Sequence, residues 1–433
     1  MRCLATAYDT LSLILREFKK FFNATPSLIA SAPGRLDFLN THQDYKGLPV
    51  VSVAINKRTY VAVSRAESVS RVVSLNLREE GTEYVDVFKT NDVSLRREGW
   101  FGDYVRSVVI SFRESRLRVG DFNMLIYSEV PIGSGLASSA ALQVATIVSL
   151  NELFETRLSR QEIAELAYHS EHDLMGIPCG RLDQYGSTMG GITLIETKPP
   201  FKTRTFTNIP LEFVVLDSGI KHSTKSIHTA RIKELIKGLQ DLLKSPRLSD
   251  SVKALLRDNV YETDWSSIKL EDLIPSLNDL DLTSRKRIIF TLKMHASTML
   301  ALKLIEEGHT KSLSTLIEEF LEKECIDCLK TSSRTSNELL RLLAGLINYQ
   351  HVLLRDLYDV STPELEMIRE KALEAGALGV KISGAGMGGS LFALVENREE
   401  GLRIHQHVSN YVKRGWLVSV DEGARIDYKK SEK

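Results

Sequence analysis

The stretch VPIGSGLASSAAL, residues 130–142, contains two glycines, three serines and three alanines between apolar flanks. A strand-like segment, DFNMLIYSEV (121–130), precedes it, and a segment with helical spacing follows it from residue 139. Glycine loses more conformational entropy on folding than other residues, so such a loop needs a physical reason. Two reasons are open: its amides bind phosphate at the start of a helix, or two backbones pass close together here.

A second glycine-rich loop favours the first reason. The stretch KISGAGMGGS (381–390) lies between two β-like segments near the other end of the chain. The first loop lacks the lysine of a GxxxxGK[ST] loop and the GxGxxG spacing of a dinucleotide fold. Two such loops with a polar, acidic segment between them predict one nucleotide site built from both halves of the chain.

The composition is that of an ordinary globular protein. Of 433 residues, 43% are hydrophobic and 26% are charged, and 56 basic residues balance 56 acidic ones. Zero net charge gives no general attraction to nucleic acid or to an acidic membrane. No apolar run reaches the roughly 18 residues that a membrane span needs, and the early charges at the N-terminus are unlike a signal peptide. We expect a cytoplasmic protein without nucleic-acid or membrane partners.

The pattern of elements predicts two domains. Residues 27–65 are predicted as short β segments, 159–176 as a helix with Ser159 in a capping box, and 212–217 as a strand. Residues 224–348 are mostly helical in pattern. From 363 the chain alternates, with helices predicted at 363–375 and 399–413 and strands at 378–383, 390–395 and 415–420. Prolines at TKPPF place the boundary near 200, which gives an N-terminal domain of 1–200 and a C-terminal domain of 201–433 with a helical insertion at about 224–348.

Three motifs in order resemble those of the GHMP small-molecule kinases, and within them the galactokinases. The motifs are PGRLDFLNTHQDYKGLPV (33–50), PIGSGLASSAAL (131–142) and KISGAGMGGS (381–390). Galactokinase-like segments between them include EHDLMGIPCGRLDQYGS from residue 171 and LRDLYDVSTPELE from residue 354. The resemblance implies a mixed α/β (α+β) two-domain fold with the active site in the interdomain cleft. It also implies ATP- and Mg²⁺-dependent phosphorylation of a sugar, galactose or a close relative, at its anomeric C1 hydroxyl.

The resemblance also implies roles for individual residues. Asp183 matches the catalytic base and Arg35 the catalytic arginine, while Ser139 and Glu171 match the two magnesium ligands. A carboxylate can take the proton of a sugar hydroxyl, and a guanidinium stabilises negative charge on the transferred phosphate. The residues implied to bind sugar are Thr41, His42, Asp44, Gly180 and Asp183. Those implied to bind nucleotide are Trp100, Gly133, Ser134, Gly135, Leu136, Ala137, Ser138, Ser139, Gly384, Ala385 and Gly386, with a buried core tryptophan as the alternative for Trp100.

One position departs from the galactokinase pattern. Where the family has a glutamate understood to contact the C6 hydroxyl of the sugar, this chain has Thr41. Losing that carboxylate removes a repulsion against a C6 carboxylate, so galacturonate stays open beside galactose and N-acetylgalactosamine. Lys221 or Lys225 could pair with such an anion. Another GHMP branch of the mevalonate kinase type, and a sugar sensor without activity, are the remaining alternatives.

The other candidate sites have ordinary explanations. Cys325 and Cys328 form a single CxxC, which is read as two cysteines one turn apart on a helix, with a disulfide or redox role as alternatives. His169 and His172 flank Glu171, but this spacing alone does not predict zinc. For the oligomeric state, both a monomer and a homodimer remain open.

Overall fold

A computed structural model describes residues 7–431, apart from 98, 208 and 221–223. It contains both helices and sheets, and its secondary structure is that of a mixed α/β protein. The strands are β1 (Leu28–Leu39), β2 (Val50–Arg65), β3 (Ser70–Ser74), β4 (Val85–Phe88), β5 (Phe122–Ser128), β6 (Ile192–Ile195), β7 (Thr203–Phe206), β8 (Glu212–Asp217), β9 (Gly379–Ser383), β10 (Ser390–Val395), β11 (Arg414–Ser419) and β12 (Arg425–Lys429).

The helices range from one turn to seven turns. They are α1 (Ala7–Phe22), α2 (Leu75–Glu79), α3 (Asp103–Glu114), α4 (Ser138–Leu153), α5 (Arg160–Tyr168), α6 (Leu182–Met189), α7 (Thr224–Lys244), α8 (Asp250–Lys253), α9 (Leu270–Leu273), α10 (Leu282–Glu307), α11 (Lys311–Ser332), α12 (Glu338–Asp356), α13 (Pro363–Glu374) and α14 (Arg398–Val408). A π-helical turn, His169–Leu174, continues α5.

The chain forms two compact units whose sequences interleave. The first unit comprises Met1–Arg35, Ala54–Gly190 and Asp421–Lys433, and the second comprises Leu36–Val53 and Gly191–Val420. The breaks at 35/36 and 53/54 fall inside β1 and β2, so both strands contribute to both units. The compact units therefore differ from a single division at 200, which stays a prediction about family domains.

The first unit is built on a sheet with helices packed against both faces. Its strands run in the order β12-β1-β2-β5-β3-β4, and β3 pairs with β5 in parallel. Alternate side chains of β2 point to opposite faces of the sheet. Tyr60 and Ala62 pack with Phe18 of α1, whereas Val61 and Val63 join the core formed with α3, α4 and α5.

The second unit combines an antiparallel sheet with a helical region. The sheet has the order β11-β8-β10-β9, and β6 pairs with the Val50–Val53 part of β2 and with β7. Of the described helices, α10 alone is long and apolar enough to cross a membrane. However, 61% of its apolar window is buried, as in the core helix of a globular protein.

Several predicted elements are confirmed. Ser159 caps α5 in a capping box with Glu162, and the strand predicted at 212–217 is β8. The segments predicted between 27 and 65 are instead two long strands, β1 and β2, because apolar and small residues continue through them without a break.

In α11, the backbone leaves the helical conformation at Cys325, and a disulfide joins Cys325 to Cys328.

Candidate active site

Arg35 and Asp183 form an ion pair in the first unit. Arg35, near the middle of β1, donates from Nε (2.9 Å) and Nη2 (2.5 Å) to Oδ1 of Asp183, in the first turn of α6. Its Nη1 donates to the backbone oxygen of Gly135 at 2.6 Å. Only 8% of the Arg35 side chain is exposed, against 25% for Asp183. Both bonds end on Oδ1, so Oδ2 of this partly exposed side chain lies outside the pair.

The loop between β5 and α4 combines close packing with an open edge. Arg35 N–H donates to the Leu136 carbonyl at 3.1 Å, and a Cβ on Gly34 would lie 2.7 Å from that oxygen. At Gly133 (φ +69) a Cβ would meet no atom within 4 Å. Both readings of the sequence therefore apply: two backbones pass closely at Leu136, whereas Gly133 borders open space.

The start of α4 is suited to an anion. Its N-cap, Ala137, has a left-handed backbone (φ 58) and no side-chain oxygen to accept from the first amides. Ser138 and Ser139 open the helix and are partly exposed. Uncapped amides and the helix dipole together favour a phosphate group here. Ser134 and Leu136 are buried, and the Ser134 hydroxyl donates to the Pro131 carbonyl at 2.7 Å, so their side chains shape the loop.

Glu171 is a buried carboxylate beside Ser139. Glu171 lies in the π-helical turn and is 4% exposed. Its carboxylate accepts a hydrogen bond from Ser139 and one from Gln184 Nε2 at 2.7 Å. Burial is the main cause that raises the Glu171 pKa, and the nearby Asp183 charge raises it further. The other amide atom of Gln184, Oε1, is buried with no hydrogen-bond partner among the described residues.

These residues fit a magnesium ion. Mg²⁺ prefers oxygen ligands, keeps several waters and commonly takes only one or two carboxylates from the protein. Glu171 and Ser139 supply such oxygens, and a cation would favour the ionised form of the buried carboxyl. Among the described residues there is no group of three or more His, Cys, Asp or Glu suited to a metal. His169 is instead held by Glu114 and Asp173, at 2.9 and 2.7 Å.

The predicted sugar motif forms a tight turn in the second unit. Asn40 (φ 63) and His42 (φ 66) both have left-handed backbones, which cost energy in residues other than glycine and are found at functional sites. Asp44 begins a 3₁₀ turn, Asp44–Lys46, and is partly exposed. Thr41 and His42 are 1% and 4% exposed, so of the three predicted sugar ligands in this turn Asp44 presents the most accessible polar group.

A buried lysine, which the sequence analysis did not single out, holds the Thr41 hydroxyl. Lys381 of β9 donates from Nζ to Thr41 Oγ1 at 2.6 Å and to the Asp37 carbonyl at 3.2 Å. Thr41 in turn donates to Asp37 Oδ1 at 3.0 Å. Burial lowers the Lys381 pKa to about 8, and the Asp37 carboxylate opposes that shift. The β-strand pattern of KISG places Lys381 in a core strand, but nothing local in the sequence links it to Thr41.

The second glycine loop also has one open and one packed position. A Cβ on Gly384 (φ +94) would meet no atom within 4 Å, whereas one on Gly386 would lie 2.4 Å from the Val360 carbonyl. Between them, Ala385 is 8% exposed, and its carbonyl accepts a hydrogen bond from His42 Nε2 at 3.0 Å.

The remaining predicted residues are less accessible or lie outside the described part. Trp100 is 4% exposed, with the guanidinium of Arg96 4.5 Å from its ring centre, so little ring surface is left for an adenine. Gly180 lies partly buried in the loop before α6. Lys221 lies outside the described residues, and the side chain of Lys225 is not described.

Comparison with known proteins identifies the family. Sequence models of the GHMP kinase N-terminal domain, the galactokinase galactose-binding signature and the GHMP kinase C-terminal domain match residues 103–191, 16–65 and 328–414. The chain belongs to the GHMP kinase superfamily. Within it, the chain is a galactokinase-like sugar kinase. The predicted two-domain GHMP kinase fold is confirmed.

Relatives match this GHMP kinase over nearly its whole length. The galactokinase of Chloroflexus aggregans is 28% identical over 398 residues, which are 89% of this chain and 88% of that one. The galactokinase of Clostridium acetobutylicum is 24% identical over 432 residues, 96% and 99% of the two chains.

Solved structures share the fold. Lactococcus lactis galactokinase complexed with galactose has a TM-score of 0.74 at 22% identity, covering 96% of this chain and 99% of its own. Methanococcus jannaschii mevalonate kinase has a TM-score of 0.61 at 17% identity, covering 92% and 99%. At these identities the likeness concerns the fold alone.

Proposed function

We propose that this GHMP kinase transfers the γ-phosphoryl group of ATP to the C1 hydroxyl of galactose or a close relative, giving the sugar 1-phosphate and ADP. The observation that carries the proposal is the Arg35–Asp183 pair, in which Arg35 binds one carboxylate oxygen of Asp183 and leaves the other outside the pair. The relatives that are named galactokinases, and the match to the galactokinase galactose-binding signature, support galactose as the first substrate to test.

Asp183 is the proposed base. Its Oδ1 is occupied by Arg35, so Oδ2 is the atom assigned to accept the hydroxyl proton and orient the attacking oxygen. Arg35 has two assigned tasks: it holds the Asp183 carboxylate in place, and its positive charge offsets charge on the transferred group. Its third bond, to the Gly135 carbonyl, fixes the guanidinium at one end of the glycine loop.

The phosphate-binding groups are assigned within each unit. In the first unit they are the loop at Gly133 and Gly135 and the first amides of α4, where open space and uncapped N–H groups coincide. In the second unit the loop at Gly384 is assigned the same task, since it too borders open space. Glu171 and Ser139 are assigned to hold Mg²⁺, which neutralises phosphate charge when bound.

Sugar binding is assigned to Thr41, His42, Asp44, Gly180 and Asp183. Galacturonate and N-acetylgalactosamine remain alternative substrates. For galacturonate the reason is that Thr41 has no carboxylate at the position where a galactokinase glutamate would repel the C6 carboxylate. Two residues bonded to Thr41 affect the choice between galacturonate and galactose in opposite directions. The buried amino group of Lys381 favours a negatively charged sugar, and the Asp37 carboxylate disfavours one.

An ADP-release assay with one sugar at a time tests the proposal. The panel is galactose, galacturonate, N-acetylgalactosamine, glucose and mevalonate, each with ATP and Mg²⁺. We expect the largest kcat/KM with galactose or another galactose-configured sugar. Turnover of mevalonate alone would assign the chain to another GHMP branch, and sugar binding without any ADP release would indicate a sensor.

A further inference from the structure

Gln184 joins the helix that carries the proposed base to Glu171. Helix α6 holds Asp183 and Gln184 as neighbours, and Asp183 pairs with Arg35. Gln184 is 0% exposed, and its Nε2 donates to Glu171 Oε2 at 2.7 Å. Two consecutive residues of one short helix therefore contact the guanidinium assigned to the transferred phosphate and the carboxylate assigned to Mg²⁺.

The chemistry of the two groups decides which amide atom of Gln184 faces Glu171. An ionised carboxylate can only accept hydrogen bonds, so the NH₂ group must point toward it and Oε1 away from it. Nε2 also lies 3.6 Å from Cys179 Sγ, a weak acceptor in the segment before α6. The amide is thus held between the turn that carries Glu171 and the segment that leads into α6, which limits its rotation.

A second buried glutamine of the same unit lacks this connection. Gln143 of α4 is also 0% exposed, and its Oε1, like that of Gln184, is buried without a hydrogen-bond partner among the described residues. Its Nε2 donates to the neutral hydroxyl of Ser107 at 3.2 Å and lies 3.6 Å from Met175 Sδ. The unpaired oxygen is therefore common to both glutamines, and the bond to a buried carboxylate distinguishes Gln184.

We propose that Gln184 is a positioning residue of the magnesium site, which fixes the direction of the Glu171 carboxylate for the metal. The inference rests on the proposed function, because it takes Glu171 as a metal ligand. A glutamate side chain has several rotatable bonds, so its carboxylate can take several positions, and the bond from Gln184 selects one of them. Hydrogen bonds of this kind to ligating carboxylates contribute about 10- to 100-fold to metal affinity in proteins.

The variants Gln184→Met and Gln184→Asn test the proposal. Methionine is similar in length but has neither the N–H donor nor the amide oxygen. Asparagine keeps the amide and withdraws it from Glu171 by one methylene group. Gln143→Met makes the first change at the other buried glutamine, where the bond to Ser107 is lost instead, so it is the matched control.

Mn²⁺ serves as the probe, because oxygen ligands suit both Mn²⁺ and Mg²⁺. Titration of Mn²⁺ into protein with AMPPNP, followed by the EPR signal of free Mn²⁺, measures metal affinity without turnover, and a blank of AMPPNP alone gives the share of the nucleotide. We expect the Mn²⁺ Kd to rise about tenfold in Gln184→Met and about three- to tenfold in Gln184→Asn, but to stay within about twofold in Gln143→Met. By calorimetry, the galactose Kd should stay within about threefold of wild type in all three variants.

An Mn²⁺ Kd within about twofold of wild type in both Gln184 variants would overturn the inference. A galactose Kd that rises as much as the Mn²⁺ Kd would also overturn it, because that result would show a general loosening of α6. If Gln184→Met does not fold, Gln184→Asn carries the test. A wild-type protein that binds no more Mn²⁺ than the AMPPNP blank would contradict the magnesium assignment of the proposed function, and the inference with it.

Discussion

At the scale of single residues, the resemblance assigned roles to side chains, and the structure shows what each of those side chains contacts. Arg35 and Asp183 do form a pair, as their assigned roles require. Thr41 and His42, by contrast, have their polar atoms bonded inside the second unit. Two of these partners, Lys381 of Thr41 and Ala385 of His42, lie more than 300 residues away in sequence, so no local pattern could have revealed them.

Glu171→Gln tests the assigned magnesium ligand. The change keeps the size of the side chain and an oxygen that can accept from Gln184, but it removes the negative charge that a cation needs. We expect the Mg²⁺ concentration for half-maximal activity to rise about tenfold or more, with the sugar KM within about threefold. Metal titrations of wild type and variant measure this, with Glu165→Gln as the control. A raised sugar KM with unchanged metal dependence would remove Glu171 from the metal site.

Thr41→Glu tests whether residue 41 influences the choice of sugar. A glutamate would lie between Lys381 and Asp37 in a site that is now 1% exposed. If it faces the sugar C6 group, it should suppress activity on galacturonate by charge repulsion and leave galactose activity intact or improved. The measurement is kcat/KM for both sugars in wild type and variant. An unchanged ratio in a folded variant would show that residue 41 does not act on C6.

At the scale of elements, the sequence predicted types and most boundaries where the pattern is periodic. Helix α13 begins at Pro363 after a Thr362 cap, within the predicted 363–375. The sequence could not predict the π-helical turn that carries Glu171. The extra residue in such a turn leaves no distinct mark on the spacing of apolar residues. Helix α14 ends at Val408, earlier than the predicted 413, and the three residues directly after it, 409–411, are exposed.

The packing of α12 against α13 gives a pH dependence of stability. His351 is 0% exposed and bonds Glu366 at 2.7 Å, and burial lowers the His351 pKa to about 4. The unfolded chain binds this proton near pH 6.5 and the folded chain only near pH 4, so stability falls as pH falls through that window. The loss from this group is about 3 kcal/mol at most.

Urea unfolding at pH 7 and pH 4.5 measures that loss. We expect the free energy of unfolding of His351→Gln to fall less between these values than that of wild type, since glutamine does not titrate. Carboxylates away from residue 351 contribute equally to both proteins and cancel in the difference. Glu366 does not cancel, because His351 lowers its pKa, so the difference measures the His351–Glu366 pair. Parallel pH profiles would contradict the buried neutral state of His351.

At the scale of the whole molecule, the order of motifs predicted the family, and the compact units could not be read from it. Strand β12, near the C-terminus, pairs with β1 and belongs to the first unit. Strands β1 and β2 contribute to both units. A linear reading places domain boundaries at breaks in the pattern such as TKPPF, but pairing between the two ends of a chain has no local signature.

The most direct test of the account is the turnover of Asp183→Asn. Asparagine keeps an oxygen that can accept from Arg35, so the fold should survive. It cannot take a proton at neutral pH, so it cannot act as the base. We expect kcat for the preferred sugar to fall about 10²- to 10⁴-fold, with the sugar Kd nearly unchanged. Asp421→Asn, which alters the Arg58–Asp421 pair of the same unit in the same way, should keep wild-type kcat. A near-wild-type kcat for Asp183→Asn would contradict the assignment of Asp183 as the base.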